Sequence, residues 1–300
     1  MFERRCCPVC DCANESSEVL GSVPFTHKCL RDELHPKASK ALANREFTVI
    51  RCQSCGLVYQ VVAWEEPEAE WVYTRFSESG DLEKFRPVQH FAHKAEDAMI
   101  VRLLFPEIRP KVLDYGMGLG EWARMATAFG CEVFGFDQDP RSVAFSERYG
   151  VRFLRPEQFP ESAFDFVNAD QVVEHFQDPV AHLQEMVRAL KPGGVMKLST
   201  PGDRQIWRKM RALELGQIAP SAFHEAFASI APLMHLNLFD EQSMVALGRR
   251  VGQERFHLPL SLSYASMALF DGGRQFNRNL RTPWKRSRAK GTWQYYRKPG

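Results

Sequence analysis

Asp114-Tyr-Gly-Met-Gly-Leu-Gly120 follows a short apolar run, Lys111-Val-Leu, and leads into Glu121-Trp-Ala-Arg-Met-Ala-Thr-Ala-Phe129, which has the spacing of an amphipathic helix. Strand, glycine turn and helix in that order form the layout of a nucleotide-type cofactor site. Gly116, Gly118 and Gly120 permit positive φ and let a ligand lie directly on the backbone, because no Cβ intrudes. A dinucleotide site has G-x-G-x-x-G, so that the helix N-terminus meets a pyrophosphate. Here position 121 is Glu, and Asp114 at the strand end would repel a phosphate while suiting a cationic ligand. The next apolar run, Cys131-Glu-Val-Phe-Gly-Phe136, ends in Asp137 with Gln138 beside it. A carboxylate at that strand end can accept both hydroxyls of a ribose.

S-adenosylmethionine, which carries a ribose, an ammonium and a sulfonium and no phosphate, fits these features. From here the chain resembles the class I S-adenosylmethionine-dependent methyltransferases. Phe164-Asp-Phe-Val-Asn-Ala-Asp-Gln-Val-Val-Glu-His-Phe-Gln-Asp-Pro179 resembles their fourth strand and the loop after it. Leu190-Lys-Pro-Gly-Gly194 and Val195-Met-Lys-Leu-Ser-Thr-Pro201 resemble the following turn and fifth strand. The resemblance implies a Rossmann-like, doubly wound α/β sheet, mostly parallel with an antiparallel closing strand. It also implies cofactor contacts at Asp114, Tyr115, Gly116, Gly118, Gly120, Asp137, Gln138, Asp170 and Gln171. Met117 and Leu119 stand where the family carries small or hydroxyl side chains. Tyr115 replaces the usual Val or Ile, and its hydroxyl either reaches the methionine end of the cofactor or is buried.

Ahead of this domain lie two C-x-x-C knuckles, Cys7-Pro-Val-Cys10 and Cys52-Gln-Ser-Cys55, the second followed by Gly56. Four thiolates converging on one tetrahedral ion leave no open position, so a structural Zn2+ is expected, not a catalytic one. Cys6, Cys12 and Cys29 are spare and leave the register of the first knuckle open. Phe47-Thr-Val-Ile-Arg51 and Leu57-Val-Tyr-Gln-Val-Val62 flank the second knuckle as a ribbon hairpin. This head resembles that of bacterial sugar-pathway and small-molecule methyltransferases. Only Arg45 and Arg51 lie near the hairpin, too few cations for a phosphate-tracking surface. Nucleic acid is therefore disfavoured as a partner.

The chain has 300 residues, 44% of them apolar, and a formal net charge of +2, enough for one large domain or two. The expected organisation is a zinc-ribbon-like module at 1–62, a linker and capping helix at 63–105, and a cofactor-binding domain at 106–273. A substrate insertion occupies 202–239, and a basic aromatic tail runs from 274 to 300. In this reading the closing antiparallel pair comes from Gln253 to Ser261 and Ala265 to Phe270. After Asp271 the chain has no acidic residue, while Arg274, Arg278, Arg281, Lys285, Arg286, Arg288, Lys290, Arg297 and Lys298 are basic. That tail suits a nucleotide diphosphate, an anionic membrane face touched peripherally, or RNA; a solvated tail is the alternative. No stretch reaches the roughly 20 apolar residues of a membrane span, and Met-Phe-Glu-Arg-Arg-Cys-Cys7 lacks the core of a secretory signal. A cytoplasmic chain with reduced cysteines is expected.

Methyl transfer needs the acceptor held in line in a water-poor pocket, and a base only when the acceptor is a weak acid such as a sugar hydroxyl. Glu174-His175 just past the fourth strand is the first candidate pair, and the alternative is that both are packed structural groups. His235, in His235-Leu-Asn-Leu-Phe239, is the second candidate, because that segment resembles the H-L-x-x-F of the zinc-headed family. Ubiquinone-type O-methyltransferases carry E-x-x-E-H at the first place, a set that can hold a divalent ion. Gln171 replaces the first Glu, so no catalytic metal is expected. The resemblance implies methylation of a small molecule, at an oxygen of a sugar, nucleotide sugar or glycan intermediate. An rRNA base methyltransferase and an inactive, zinc-stabilised cofactor-binding protein are the rival readings.

Overall fold

The computed structural model describes residues 2–31, 41–64, 88–265 and 292–300. From the N-terminus the chain forms β1 (Phe2–Glu3), β2 (Ser17–Pro24), helix α1 (Lys28–Arg31), β3 (Glu46–Cys52), β4 (Val58–Gln60) and β5 (Val62–Ala63). Helix α2 (Val88–Leu104) precedes β6 (Lys111–Tyr115), α3 (Glu121–Ala128), β7 (Glu132–Phe136), α4 (Pro140–Glu147), β8 (Arg152–Phe153) and β9 (Phe164–Asp170). Next come α5 (Pro179–Ala189), β10 (Leu190–Ser199), α6 (Ile206–Glu214), α7 (Pro220–Phe227) and β11 (Asn237–Leu238). The chain finishes with α8 (Glu241–Arg250), β12 (Glu254–Arg255), α9 (Leu260–Ala265) and β13 (Trp293–Arg297).

Two compact units share the chain: Met1–Val72, Val173–Val180 and Thr200–Arg250 form the first, and Tyr73–Val172, Ala181–Ser199 and Val251–Gly300 the second. The second unit is built on a seven-stranded sheet in the order β12-β13-β10-β9-β6-β7-β8. Strands β10, β9, β6, β7 and β8 run parallel, and β13 is antiparallel to both β10 and β12. This is the mostly parallel, doubly wound sheet with an antiparallel closing strand that the sequence predicts. Its central strands are buried on both faces and carry apolar pairs such as Val112-Leu113 and Phe166-Val167. Trp122, Ala123 and Ala126 of α3 pack with Val112, Val133 and Phe166 in one core.

The closing pair differs from its expected place. Its inner strand is β13, Trp293–Arg297, within the segment read above as tail, and its partner is β12. The basic composition of the segment hides a β-prone run, Trp-Gln-Tyr-Tyr, whose Gln294, Tyr295 and Tyr296 are buried. Residues 274–291 of the tail, 266–270 of the expected strand, and 65–87 of the expected linker and capping helix lie outside the described residues.

The first unit carries a four-stranded sheet, β11-β4-β3-β2, and a two-stranded one, β1-β5. The hairpin expected around the second knuckle is β3 and β4. Residues 202–239, expected as a substrate insertion, cluster with this unit. Met210 and Leu213 of α6 and Phe223 and Phe227 of α7 share a core with Val23, Phe47 and Val49 of β2 and β3. Gly21 lets α6 approach β2: an added Cβ would lie 3.0 Å from both Met210 Cβ and Glu214 Oε1. The Ser22 amide donates to that Glu214 carboxylate at 2.9 Å.

Because β13 lies between β10 and β12, Tyr295→Ala is expected to destabilise the second unit by about 3–5 kcal/mol, as other large core truncations do. Denaturant unfolding followed by far-ultraviolet circular dichroism measures this. A change below about 1 kcal/mol would show that the segment is not part of the sheet.

Candidate functional site

The loop between β6 and α3 has Gly116, Gly118 and Gly120 at φ 73°, 53° and 64°, all in the left-handed region. A side chain at Gly116 would collide with Val172, whereas the space around a Cβ on Gly118 is open to 4 Å. Close packing on one side and a clear approach on the other make a cradle for a ligand laid along the backbone. The amides of Gly116 and Met117 both donate to the Phe136 carbonyl, at 2.8 and 2.9 Å, and tie the loop to the end of β7.

Asp114 sits at the register position opposite Asn168 of β9 and is buried. Asn168 Nδ2 donates to its Oδ1 at 2.7 Å, while Oδ2 has no hydrogen-bond partner among the described residues. Burial pushes this carboxyl up to about 6, against the pull of Asn168 and Lys94. A buried carboxylate oxygen left unpaired is costly, and the arrangement fits a cationic ligand. Asp137 is buried as well; its Oδ2 accepts the Gly118 amide at 2.7 Å and its Oδ1 the Asp139 amide at 2.9 Å. Those two bonds fix the carboxylate and leave further lone pairs for hydroxyl donors. Gln138 beside it is exposed.

Tyr115 is placed differently from Asp114, as neighbours on a strand must be. Its ring is buried against Phe136 and Phe159, and its hydroxyl pairs with His182 Nδ1 at 2.9 Å and Glu185 Oε2 at 3.1 Å. Only its backbone remains for a cofactor, which narrows the expectation at this position.

Asp170 ends β9. Its Oδ2 pairs with Lys94 of α2 at 2.5 Å, its Oδ1 accepts the Ser199 hydroxyl, and Lys197 Nζ lies 3.6 Å away. Burial opposes ionisation, but Lys197, Lys94 and Ser199 together hold this carboxyl well below the usual range. Lys197 itself is 1% exposed in the middle of β10, 2.8 Å from Asp97 Oδ2 and 4.4 Å above the Trp293 ring. Gln171, exposed at φ 58°, donates its amide to the Ser199 carbonyl at 2.9 Å.

In the first unit the Sγ atoms of Cys7, Cys10, Cys52 and Cys55 all lie within 4.8 Å of one another. Cys7 to Cys55 and Cys10 to Cys52 are each 3.5 Å apart, close to the edge of about 3.8 Å of a tetrahedron with metal–sulfur bonds of about 2.3 Å. The two knuckles share one turn: Asp11 (φ 60°) and Gly56 (φ 81°) follow the second cysteines, and their amides return to the carbonyls of Cys7 and Cys52. That geometry selects Cys7 and Cys10 over the spare cysteines, and the donor set fits Zn2+. Arg45 and Arg51 are drawn to acids, Arg45 to Glu3 at 3.2 Å and Arg51 to Asp240 at 3.9 Å.

The same unit brings Glu174, His175 and His235 together, with one ligand atom of each within 4.8 Å of the others. Glu174 and His175 belong to a 3-10 turn, Val173–His175, which follows β9 by two residues. The imidazoles meet edge to face with centroids 4.6 Å apart. His175 Nδ1 lies 3.0 Å from the Met234 carbonyl and His235 Nδ1 2.6 Å from the Ala228 carbonyl. A carbonyl only accepts, so both Nδ1 atoms carry hydrogen and the lone pair of each neutral ring is on Nε2. Burial, and then His235 nearby, push His175 down to about 3; burial also lowers His235.

Arg4 and Asn237 form the frame around these residues, and neither is singled out by the sequence. The buried Arg4 guanidinium donates to Asn237 Oδ1 at 2.8 Å and to the carbonyls of Phe176 and Gln177 at 3.2 and 3.1 Å. Asn237 Nδ2 donates to the Phe176 carbonyl at 2.7 Å. Lys197 escapes sequence reading too, although a lysine within Val-Met-Lys-Leu-Ser, a strand due to be buried on both faces, is its visible signal.

A family model described as a methyltransferase domain matches residues 85–255, more than half of the sequence. The chain belongs to that family, the class I methyltransferases. Among curated relatives, the ubiquinone biosynthesis O-methyltransferase of Paramagnetospirillum magneticum is 33% identical over 154 residues, which are 46% of this chain and 57% of that protein. The 2-methyl-6-phytyl-1,4-hydroquinone methyltransferase of Synechocystis sp. is 29% identical over 136 residues, 40% of this chain and 42% of that protein. The chain spans about half the length of these curated relatives. A solved structure of a putative sarcosine dimethylglycine methyltransferase from Galdieria sulphuraria aligns with 77% of this chain and 98% of that chain, at 18% identity and a TM-score of 0.41.

Ionising Asp114 opposes folding of the ligand-free protein, since its folded pKa lies above the ordinary carboxylate value. The penalty is absent below pH about 4 and complete above pH about 6. Asp114→Asn is therefore expected to stabilise the ligand-free chain at pH 7.5 by about 1–3 kcal/mol. Urea unfolding at pH 7.5 measures it, and a destabilised variant would contradict the assignment.

Proposed function

We propose that the protein is an S-adenosylmethionine-dependent methyltransferase acting on a hydroxyl oxygen of a small molecule. The observation that carries this reading is Asp114, near the end of β6 and ahead of the open Gly118 cradle: a buried carboxylate with one oxygen that has no hydrogen-bond partner among the described residues. S-adenosylmethionine, when bound, supplies a methyl carbon already activated by a sulfonium. Asp114 would take its ammonium, the backbone of Gly116 to Gly120 would support it, and Asp137, with Gln138, would hold its ribose hydroxyls. Asp170 and Gln171 complete the edge where β6, β7 and β9 end, the place where such sheets bind ligands. The four cysteines hold a structural Zn2+ that stiffens the first unit.

Glu174, His175 and His235 handle the acceptor and the proton it loses. A sugar hydroxyl is a weak acid, so its proton must leave as the bond to carbon forms. The sugar or nucleotide-sugar reading rests on the cysteine-rich head and the His235-Leu-Asn-Leu-Phe239 segment. A phenolic acceptor is the second reading, favoured by the names of the two curated relatives. The hairpin's few cations, Arg45 and Arg51, each with an acid nearby, weigh against a nucleic-acid substrate.

Calorimetric titration with S-adenosylmethionine tests the cofactor. Binding is expected at pH 7.5 and weaker as pH falls through about 6, where Asp114 takes a proton; Asp114→Asn should bind at least about tenfold more weakly, with that pH step gone. No binding by the zinc-loaded protein would sink the proposal. Formation of S-adenosylhomocysteine across a panel of nucleotide sugars and hydroquinones then selects the acceptor. With a productive acceptor, His175→Ala should lose about 10²–10⁴-fold in turnover while keeping its cofactor affinity.

A further inference from the structure

We infer that Glu174, His175 and His235 form a second metal site, distinct from the four-cysteine cluster, that takes a divalent transition ion such as Zn2+ through two imidazole nitrogens and one carboxylate. Two histidines and one glutamate make a recurrent donor set for such an ion, and three protein ligands leave a position open. The tautomers are those that ligation requires. Each ring donates its Nδ1 hydrogen to a backbone carbonyl, Met234 for His175 and Ala228 for His235, and presents Nε2 as the donor atom. Metal-bound histidines are held in this way by their outer partners.

The separation also suits an ion. One ligand atom of each residue lies within 4.8 Å of the others, against an edge of about 3.4 Å for a tetrahedron with bonds of about 2.1 Å. The backbone beneath is fixed by Arg4 and Asn237, which grip the carbonyls of Phe176 and Gln177 directly after the Val173–His175 turn. The site does not depend on a contiguous E-x-x-E-H. Gln171 lacks the first carboxylate, and His235, sixty residues on from His175, supplies the third ligand instead.

The use of the ion rests on the methyl-transfer reading: an acceptor hydroxyl on the open position would become more acidic and pass its proton to water, and its oxygen would bond the methyl carbon as the carbon–sulfur bond of the sulfonium breaks. Metal binding itself does not rest on that reading, so the two can fail separately. The full-length protein is equilibrated with micromolar Zn2+, freed of excess ion, and assayed for zinc per chain by elemental analysis. The expected result is about two ions in the wild type and about one in His235→Ala and in Glu174→Gln. X-ray absorption at the zinc edge of the wild type should show a nitrogen–oxygen shell at about 2.0–2.1 Å beside the sulfur shell at about 2.3 Å. This reading does not depend on how the variants fold. One ion per chain with sulfur ligands alone, or variants that fold and still hold two ions, would overturn the inference.

Discussion

Arg4 is buried near the N-terminus, and its guanidinium reaches carbonyls and an amide oxygen from two segments far along the chain, residues 176–177 and 236–237. Burial lowers its pKa to about 10, but it stays charged at neutral pH. Burying a cation is costly unless it is hydrogen-bonded, and here oxygens of fixed direction take Nη1 and Nη2, while Nε has no partner among the described residues. The demand runs both ways: it fixes the turn that carries Glu174 and His175 and the strand that follows His235. The cysteine knuckle begins three residues after Arg4, so the stiffness of the first unit and the geometry of the Glu-His-His cluster share one anchor. The second unit has a counterpart in Lys197, buried on β10 between Asp97, Asp170 and the face of Trp293. Removing one member of such a set would strand a charge in the interior.

Within the second unit, two carboxylates are treated differently. Around Lys197 the acids and cations nearly balance, and Asp170 remains ionised at the end of β9. Asp114, on the neighbouring strand, receives one amide hydrogen bond, and its other oxygen has no partner among the described residues. The unit thus neutralises one carboxylate with lysines and leaves the other in deficit. That deficit is a store of free energy that a cationic ligand can release, at the expense of the ligand-free fold.

Legibility in the sequence followed chain distance. The glycine loop, Asp114 and Asp137 were readable because strand, turn and acid are neighbours and each has a local physical reason. The cysteine knuckles were readable for the same reason. Tyr115 was half readable: its position on β6 was plain, but its attachment to His182 and Glu185 depends on how α5 packs. The meeting of His175 with His235 depends on β11 pairing with β4, which no local pattern specifies. Arg4 was invisible, since one arginine in Glu-Arg-Arg-Cys carries no periodic signal. The strand β13 was misassigned because net charge was weighed above the alternation of Trp-Gln-Tyr-Tyr, whose aromatic content was the better guide.

The late position of β13 has a consequence for how the protein is made. Strand β10 leaves the ribosome well before the strand that covers its edge, with most of a unit's worth of chain still to be synthesised. During that interval an apolar strand presents unpaired backbone donors and acceptors to other nascent chains, the condition under which edge-to-edge association competes with folding. The buried lysine at its centre has its acids early, since Asp97 and Asp170 precede it in the chain, and in that interval it lacks only Trp293, the ring over its ammonium, which comes with β13.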